Sequence, residues 1–186
     1  ITFDFVDEVS RDSPAPGGGS VAALSGALGA ALGIMVANLS TSKAGFEDKK
    51  EKLAEISKKG QFTKDELVKA IDEDTTAFDK VIKAMRMPKD TEKENEIRGK
   101  EMQKGYQSAT LVPLKTVEDC RNALQICLDI SEIMDEGMAS DVGSGALMAN
   151  AGAISAAYNV RINIKSITDN QFSNNTEKKL AELLSD

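Results

Sequence analysis

Between Asp12 and Lys43 the chain carries no charged residue, and this uncharged run constrains the fold more than any other feature. It opens with Pro14, Pro16, Gly17, Gly18 and Gly19, then continues in Ala, Gly and Ser with one stripe of larger residues. Val21, Leu24, Leu28, Leu32, Met35 and Leu39 recur at steps of three and four, which places them on one face of an α-helix. The other faces carry Ala23, Gly26, Ala27, Ala30, Gly33 and Ala37. A helix with nothing to hydrate is expected to be buried all round, at the centre of the molecule. The run is long enough to cross a bilayer. Gly, Ala and Ser transfer weakly into lipid, however, and no aromatics flank it, so no membrane partner is expected.

A second uncharged stretch runs from Asp141 to Arg161 and has the same small-residue character. Two such helices are expected to pack on each other or on their copies in a partner, giving at least a homodimer. The fold class expected is all-α: a multi-helix bundle around two central Ala/Gly-rich helices, in one domain spanning residues 1–186. Only 4% of the residues are aromatic and Trp is absent, so the core must be aliphatic and alanine-rich. The net charge of −7 and the lack of a Lys/Arg-rich tract argue against a nucleic-acid partner.

Histidine is absent, which removes histidine triads, histidine zinc sites and imidazole proton relays together. Acid–base chemistry must then come from carboxylates, lysines, tyrosines or cysteines. Cys120 and Cys127 sit seven apart in a helical stretch, about 10 Å along its axis, too far for a disulfide. They read as reduced core residues; with no signal peptide in view, a cytoplasmic protein is expected.

Along the chain, residues 1–13 read as a short amphipathic helix with Phe3, Phe5, Val6 and Val9 on its apolar edge. Gly17, Gly18 and Gly19 read as a loop, and Ser20 as the N-cap of the central helix. Backbone N–H groups at such a start suit an anion or a polarised carbonyl, although GGGS is also an ordinary turn. A long helical region follows from Phe46 to Met85, loosened at Gly60. In it, Leu67, Ile71, Phe78, Val81 and Met85 form a stripe whose missing member is Asp74, whereas Asp72 points nearly opposite. A carboxylate on a core-facing stripe must be hydrogen-bonded, protonated or lining a cavity. Two readings stay open: a buried structural hydrogen bond, or a general acid/base with a raised pKa.

Pro88 ends that helix and Lys89 follows it. The next helical region starts at Thr91, and Pro113 is expected to kink it. Lys115, just beyond, reads as a surface lysine or as one turned into a site. The helix is expected to end at Gly137. Asp141 opens the next helix, as a cap or as a ligand contact. Asn159 and Asn163 share a side of that helix, and their amides need partners. A last short helix is expected over Thr176–Leu184.

Four segments in order, PAPGGGSVAALSGALGAALGIMVANL, IDEDTTAFDKVIKAMRMPK, LVPLKTVEDC and SDVGSGALMANAGAISAAYNVRINIKSITD, resemble the cyclodeaminase/cyclohydrolase family of folate enzymes. The resemblance covers nearly the whole chain. It implies an all-helical dimer with its site near the subunit interface, and in some members a glutamate formimidoyltransferase domain fused to or paired with this one. The implied reaction cyclises 5-formimidoyl-tetrahydrofolate to 5,10-methenyl-tetrahydrofolate with loss of ammonia. Hydrolytic opening of the methenyl compound, and a non-catalytic folate-binding or dimerisation module, are the alternatives. The family's catalytic aspartate precedes an Ala-Phe pair, which matches Asp74 ahead of Ala77 and Phe78. On this reading Gly17, Gly18, Gly19 and Ser20 hold the pterin or carbonyl edge, and Asp141, Asn159 and Asn163 meet the polar ring edge. Lys89 and Lys115 meet the glutamate carboxylates of a folate with or without a polyglutamate tail. No metal and no cofactor beyond the tetrahydrofolate substrate is expected.

Overall fold

The computed structural model describes residues 2–185, apart from the side chains of Thr2 and Phe3, so the part of the first helix's apolar edge assigned to Phe3 lies outside the described residues. Among the described residues six helices follow one another: α1 (Thr2–Val9), α2 (Gly18–Thr41), α3 (Lys50–Met85), α4 (Glu92–Ser131), α5 (Ala139–Ile164) and α6 (Asn170–Leu184), with short 3-10 turns before α3 and α5. The helices α2 to α5 form an up-down ring in which each packs on the next, α5 closes back on α2, and α2 also touches α4 across the diagonal. The C-terminal α6 lays Leu180 and Leu183 against Val117, Ala156 and Val160 of α4 and α5.

The small residues set the spacing of this ring. A Cβ on Gly29 would fall 2.6 Å from the Gly145 carbonyl oxygen, and one on Gly152 would fall 2.8 Å from that of Ala22. α2 and α5 therefore meet backbone to backbone. Ile126 fills the space at Gly33, the Cys120 sulfur fills the space left at Gly26 and Gly152, and the Cys127 sulfur lies against Gly145. Burial pushes their thiols up to about 12 and about 11 respectively, so both are inert core residues, as the spacing indicated.

α2 is long and apolar enough to span a membrane, but most of it is buried against its neighbours. It is not buried all round. Its inward face is Gly19, Ser20, Ala22, Ala23, Gly26, Ala27, Gly29, Ala30 and their continuation, whereas the large stripe points outward, with Val21, Leu28, Met35 and Leu39 exposed. The reason is steric: only small side chains admit three helices at this distance, so the bulky ones take the remaining side.

The end of α4 and the start of α6 differ from expectation. α3 runs unbroken through Gly60, where the missing side chain makes room for Ile34. α4 runs through Pro113, which is buried within it, and ends at Ser131 instead of Gly137. Its start is secured by a capping box in which Thr91 and Glu94 each accept the other's backbone N–H. α6 begins at Asn170, because the Asp169 side chain caps it by accepting from the Gln171 and Phe172 N–H groups.

Candidate active site

α2 is the shortest member of the ring at one end: it starts at Gly18 while α3 runs on past it to Met85 and α5 to Ile164. Helix N-termini leave their first N–H groups without an intrahelical acceptor. Gly17, the N-cap, offers no side chain to take one. Asp74, from α3, takes that role. A Cβ on Gly19 would stand 2.1 Å from Asp74 Oδ1 and 2.7 Å from Oδ2, so the carboxylate lies directly on the first turn of α2. Ser20 donates to it from its backbone N–H and its hydroxyl, the latter 3.1 Å from Oδ2.

Burial pushes the Asp74 pKa up, and the two hydrogen bonds from Ser20 pull it down without cancelling the rise. The residue is half-buried. It is therefore a carboxyl group that keeps its proton to higher pH than an ordinary aspartate, with an edge open to solvent. Asp72 is exposed, as its position on the opposite face of α3 required.

The remaining expected site residues divide. Gly17, Gly18 and Gly19 are not a loop: Gly17 caps, and the other two are the first helical turn. Gly18 is exposed and faces Asn159, whose amide nitrogen would lie 3.3 Å from a Cβ there. Asn159 itself donates to the Ser155 carbonyl. Asp74, Gly18, Gly19 and Asn159 thus form one group. Ser20 is not the N-cap and, at 0% exposure, cannot touch a substrate; it touches Asp74.

Asn163 is committed elsewhere. Pro113 has no N–H for the carbonyl four residues back, Ala109, and Asn163 Nδ2 donates to that carbonyl at 2.7 Å. Lys115 is likewise not free, since its ammonium sits 2.7 Å from Asp119 and 3.5 Å from Glu118. Asp141 lies in the first turn of α5, 18 residues before Asn159, which is about 27 Å along the axis. There it complements the helix dipole, at the opposite end of α5 from Asn159. Lys89 is exposed in the α3–α4 connection, and even the end of α3 is about 16 Å from Asp74 along the helix.

Two features escaped the sequence reading. The partnership of Gly19 and Ser20 with Asp74 spans more than fifty residues and has no local signature. Asp119, 2% exposed, was legible only as a carboxylate four residues beyond a lysine. Burial pushes its carboxyl up and Lys115 pulls it back. Beside Asp74's turn, a cleft of about 600 Å³ opens between α1 and α3, lined by Phe5, Glu8, Pro16, Ile71 and Thr75.

Residues 2–182 match the family model described as formiminotransferase-cyclodeaminase. The chain is 36% identical over 182 residues to a methenyltetrahydrofolate cyclohydrolase of Methylorubrum extorquens, covering 98% of this chain and 88% of that one. It is 37% identical over 180 residues to the formimidoyltransferase-cyclodeaminase of Gallus gallus, covering 97% of this chain but 33% of the relative, so it spans a third of that longer protein. The fold matches a formiminotetrahydrofolate cyclodeaminase crystal structure from Thermotoga maritima with a TM-score of 0.89 at 29% identity, over 100% of this chain and 88% of that one.

Proposed function

The chain belongs to the formiminotransferase-cyclodeaminase family, and from that premise we propose that it converts 5-formimidoyl-tetrahydrofolate to 5,10-methenyl-tetrahydrofolate and ammonia, with Asp74 as the acid–base group. The observation that carries the proposal is the half-buried Asp74 carboxyl, seated on the first turn of α2 with its pKa raised by burial. In the cationic formimidoyl substrate, N10 attacks the formimidoyl carbon. Asp74 takes the N10 proton as that bond forms, then returns it to the former imine nitrogen, which leaves as ammonia; the methenyl product keeps the positive charge. A single carboxyl whose affinity for a proton burial has raised serves both steps. The attack is intramolecular, so holding the folate in a closed geometry supplies much of the acceleration. On this reading the substrate's polar edge is oriented by the exposed Gly18 turn and the Asn159 amide that lies against it. The reading needs no cofactor beyond the folate.

One observation favours a second reading. The Methylorubrum extorquens relative, matched over most of its length, is a methenyltetrahydrofolate cyclohydrolase. In that reaction water attacks the methenyl carbon and the same carboxyl takes its proton. Paired assays separate the two: ammonia release from 5-formimidoyl-tetrahydrofolate, and hydrolysis of methenyl-tetrahydrofolate. Fast ammonia release with slow hydrolysis supports the cyclodeaminase; hydrolysis alone overturns it in favour of the cyclohydrolase. Asp74→Asn should abolish whichever is present while folate still binds, and full turnover in that variant would discard the site.

The proposal includes a homodimer or larger assembly. Val21, Leu28 and Met35 of α2 and Leu147, Ile154 and Tyr158 of α5 are exposed on two helices that pack side by side. Val21 and Tyr158 directly adjoin Ser20 and Asn159, so this apolar surface begins at the site. Leu28→Asp together with Ile154→Asp should lower the mass measured by light scattering to that of one chain.

A further inference from the structure

Ser20 is out of reach of any substrate, yet its hydroxyl has more to do than one proton allows. Its Oγ lies 2.9 Å from the Ile71 carbonyl oxygen, 3.1 Å from Asp74 Oδ2 and 3.4 Å from Thr75 Oγ1. A serine hydroxyl has one proton to donate and two lone pairs to accept with. An ionised Asp74 can only accept, so it competes with Ile71 for that proton. A protonated Asp74 becomes a donor, and the competition disappears.

We infer that Ser20 is a positioning residue whose hydroxyl turns with the protonation state of Asp74; the inference rests on the reading of Asp74 as the acid–base group. With Asp74 ionised, the Ser20 O–H donates to Oδ2 beside the Ser20 backbone N–H. With Asp74 protonated, the carboxyl O–H donates to Ser20 Oγ, and the serine proton swings to the Ile71 carbonyl. Ile71 sits inside α3, where its carbonyl also faces the N–H four residues on, so it tolerates either state. No heavy atom has to move between the two states. The carboxyl gives up and regains its proton in one fixed geometry, the condition for a preorganised acid–base group.

Few charges compete for this role. α2 is uncharged from Gly18 to Thr41. On α5, Arg161 is exposed and Asp141 lies at the far end. From α4, Tyr106 packs on Ala77 and Val81, and the Lys115 ammonium is taken by Asp119 and Glu118. On α3 itself, Asp72 and Glu73 are exposed, and Asp72 lines the cleft shared with Asp4 and Glu8 of α1.

The test is the pH profile of kcat for the intact protein, its Ser20→Ala variant and, as control, Ser40→Ala. Ser40 is the other fully buried serine on α2, with a hydroxyl that has no partner. Charge-assisted hydrogen bonds outweigh neutral ones, so losing the Ser20 hydroxyl should raise the Asp74 inflection by roughly one pH unit and lower kcat roughly tenfold, with KM little changed. Ser40→Ala should leave the inflection in place. A 13C-carboxyl titration, with the Asp74 signal assigned through Asp74→Asn, reads the same rise without turnover. Ser20→Cys, a near-isosteric weak donor, should give an intermediate rise and serves if the alanine variant does not fold. An unmoved Asp74 inflection in a folded Ser20 variant overturns the inference. Turnover that survives Asp74→Asn overturns the acid–base reading instead.

Discussion

Replacing Gly19 by alanine tests the placement of Asp74 without touching the carboxylate chemically. The new Cβ would stand 2.1 Å from Oδ1, 2.5 Å from Cγ and 2.7 Å from Oδ2, against an ordinary contact of 3.4 Å or more. The carboxylate must retreat by more than an ångström. Because it ends a side chain and is not backbone, it can do so, and the helices need not separate. The retreat breaks the Ser20 hydrogen bonds, which as bonds to a charged group contribute about 1.5–3 kcal/mol. Alanine returns about 0.5–1 kcal/mol through helix propensity. The expected net destabilisation is about 1–2 kcal/mol in urea denaturation, with a folded protein at 25 °C. Turnover should fall much further, by about a hundredfold, because a displacement of this size takes the acid–base group out of line. Gly99→Ala is the control: nothing lies within 4 Å of its Cβ position, and it should be as stable or slightly more so, with full activity. Near-normal kcat in Gly19→Ala would refute the geometry on which the whole site rests.

Three further outcomes follow from the same packing. Asp74 has a folded-state pKa above its unfolded one, so between those two values the folded state holds more protons and stability falls as pH rises. Asp74→Asn should therefore be more stable than the parent at pH 7, with the gap closing as pH drops below the ordinary aspartate range in a series of thermal melts. Asn163→Ala should cost about 1–3 kcal/mol by stranding the Ala109 carbonyl, and less in a Pro113→Ala background that restores the missing N–H. A double-mutant cycle with no coupling would show that Asn163 does not compensate for the proline. Gly29→Ala should lose 3 kcal/mol or about that, because its Cβ meets the Gly145 carbonyl and the Ala149 backbone, which cannot yield without parting α2 from α5.

Asp74 was legible because a carboxylate on an apolar helical stripe is an anomaly that needs only local periodicity to detect. The first turn of α2 and Asn159 were legible as chemistry in search of a partner. What periodicity could not supply was pairing. Ser20 read as a cap because Ser after glycines usually is one, but the helix starts two residues earlier and buries it against α3. Lys115 has its partner Asp119 four residues on in the same helix, a pair local spacing allows, whereas the partner of Asn163, the carbonyl freed by Pro113, becomes visible only once α4 and α5 are packed together. Asp141 shares a helix with Asn159, and similarity of context concealed that a helix of this length separates its ends.

The sequence by itself determined that the chain is helical, that two uncharged small-residue helices sit at its centre, and that one aspartate stands where an apolar residue belongs. Each of these follows from spacing along a single helix. Only the tertiary structure decided which face of α2 turns inward, and that Asp74 meets Gly19 and Ser20. Those outcomes depend on the start of one helix relative to another and on how closely their backbones approach. Close approach is a property of the assembled ring: the bulky stripe goes outward because three neighbours have already taken the space that only glycine and alanine can fill.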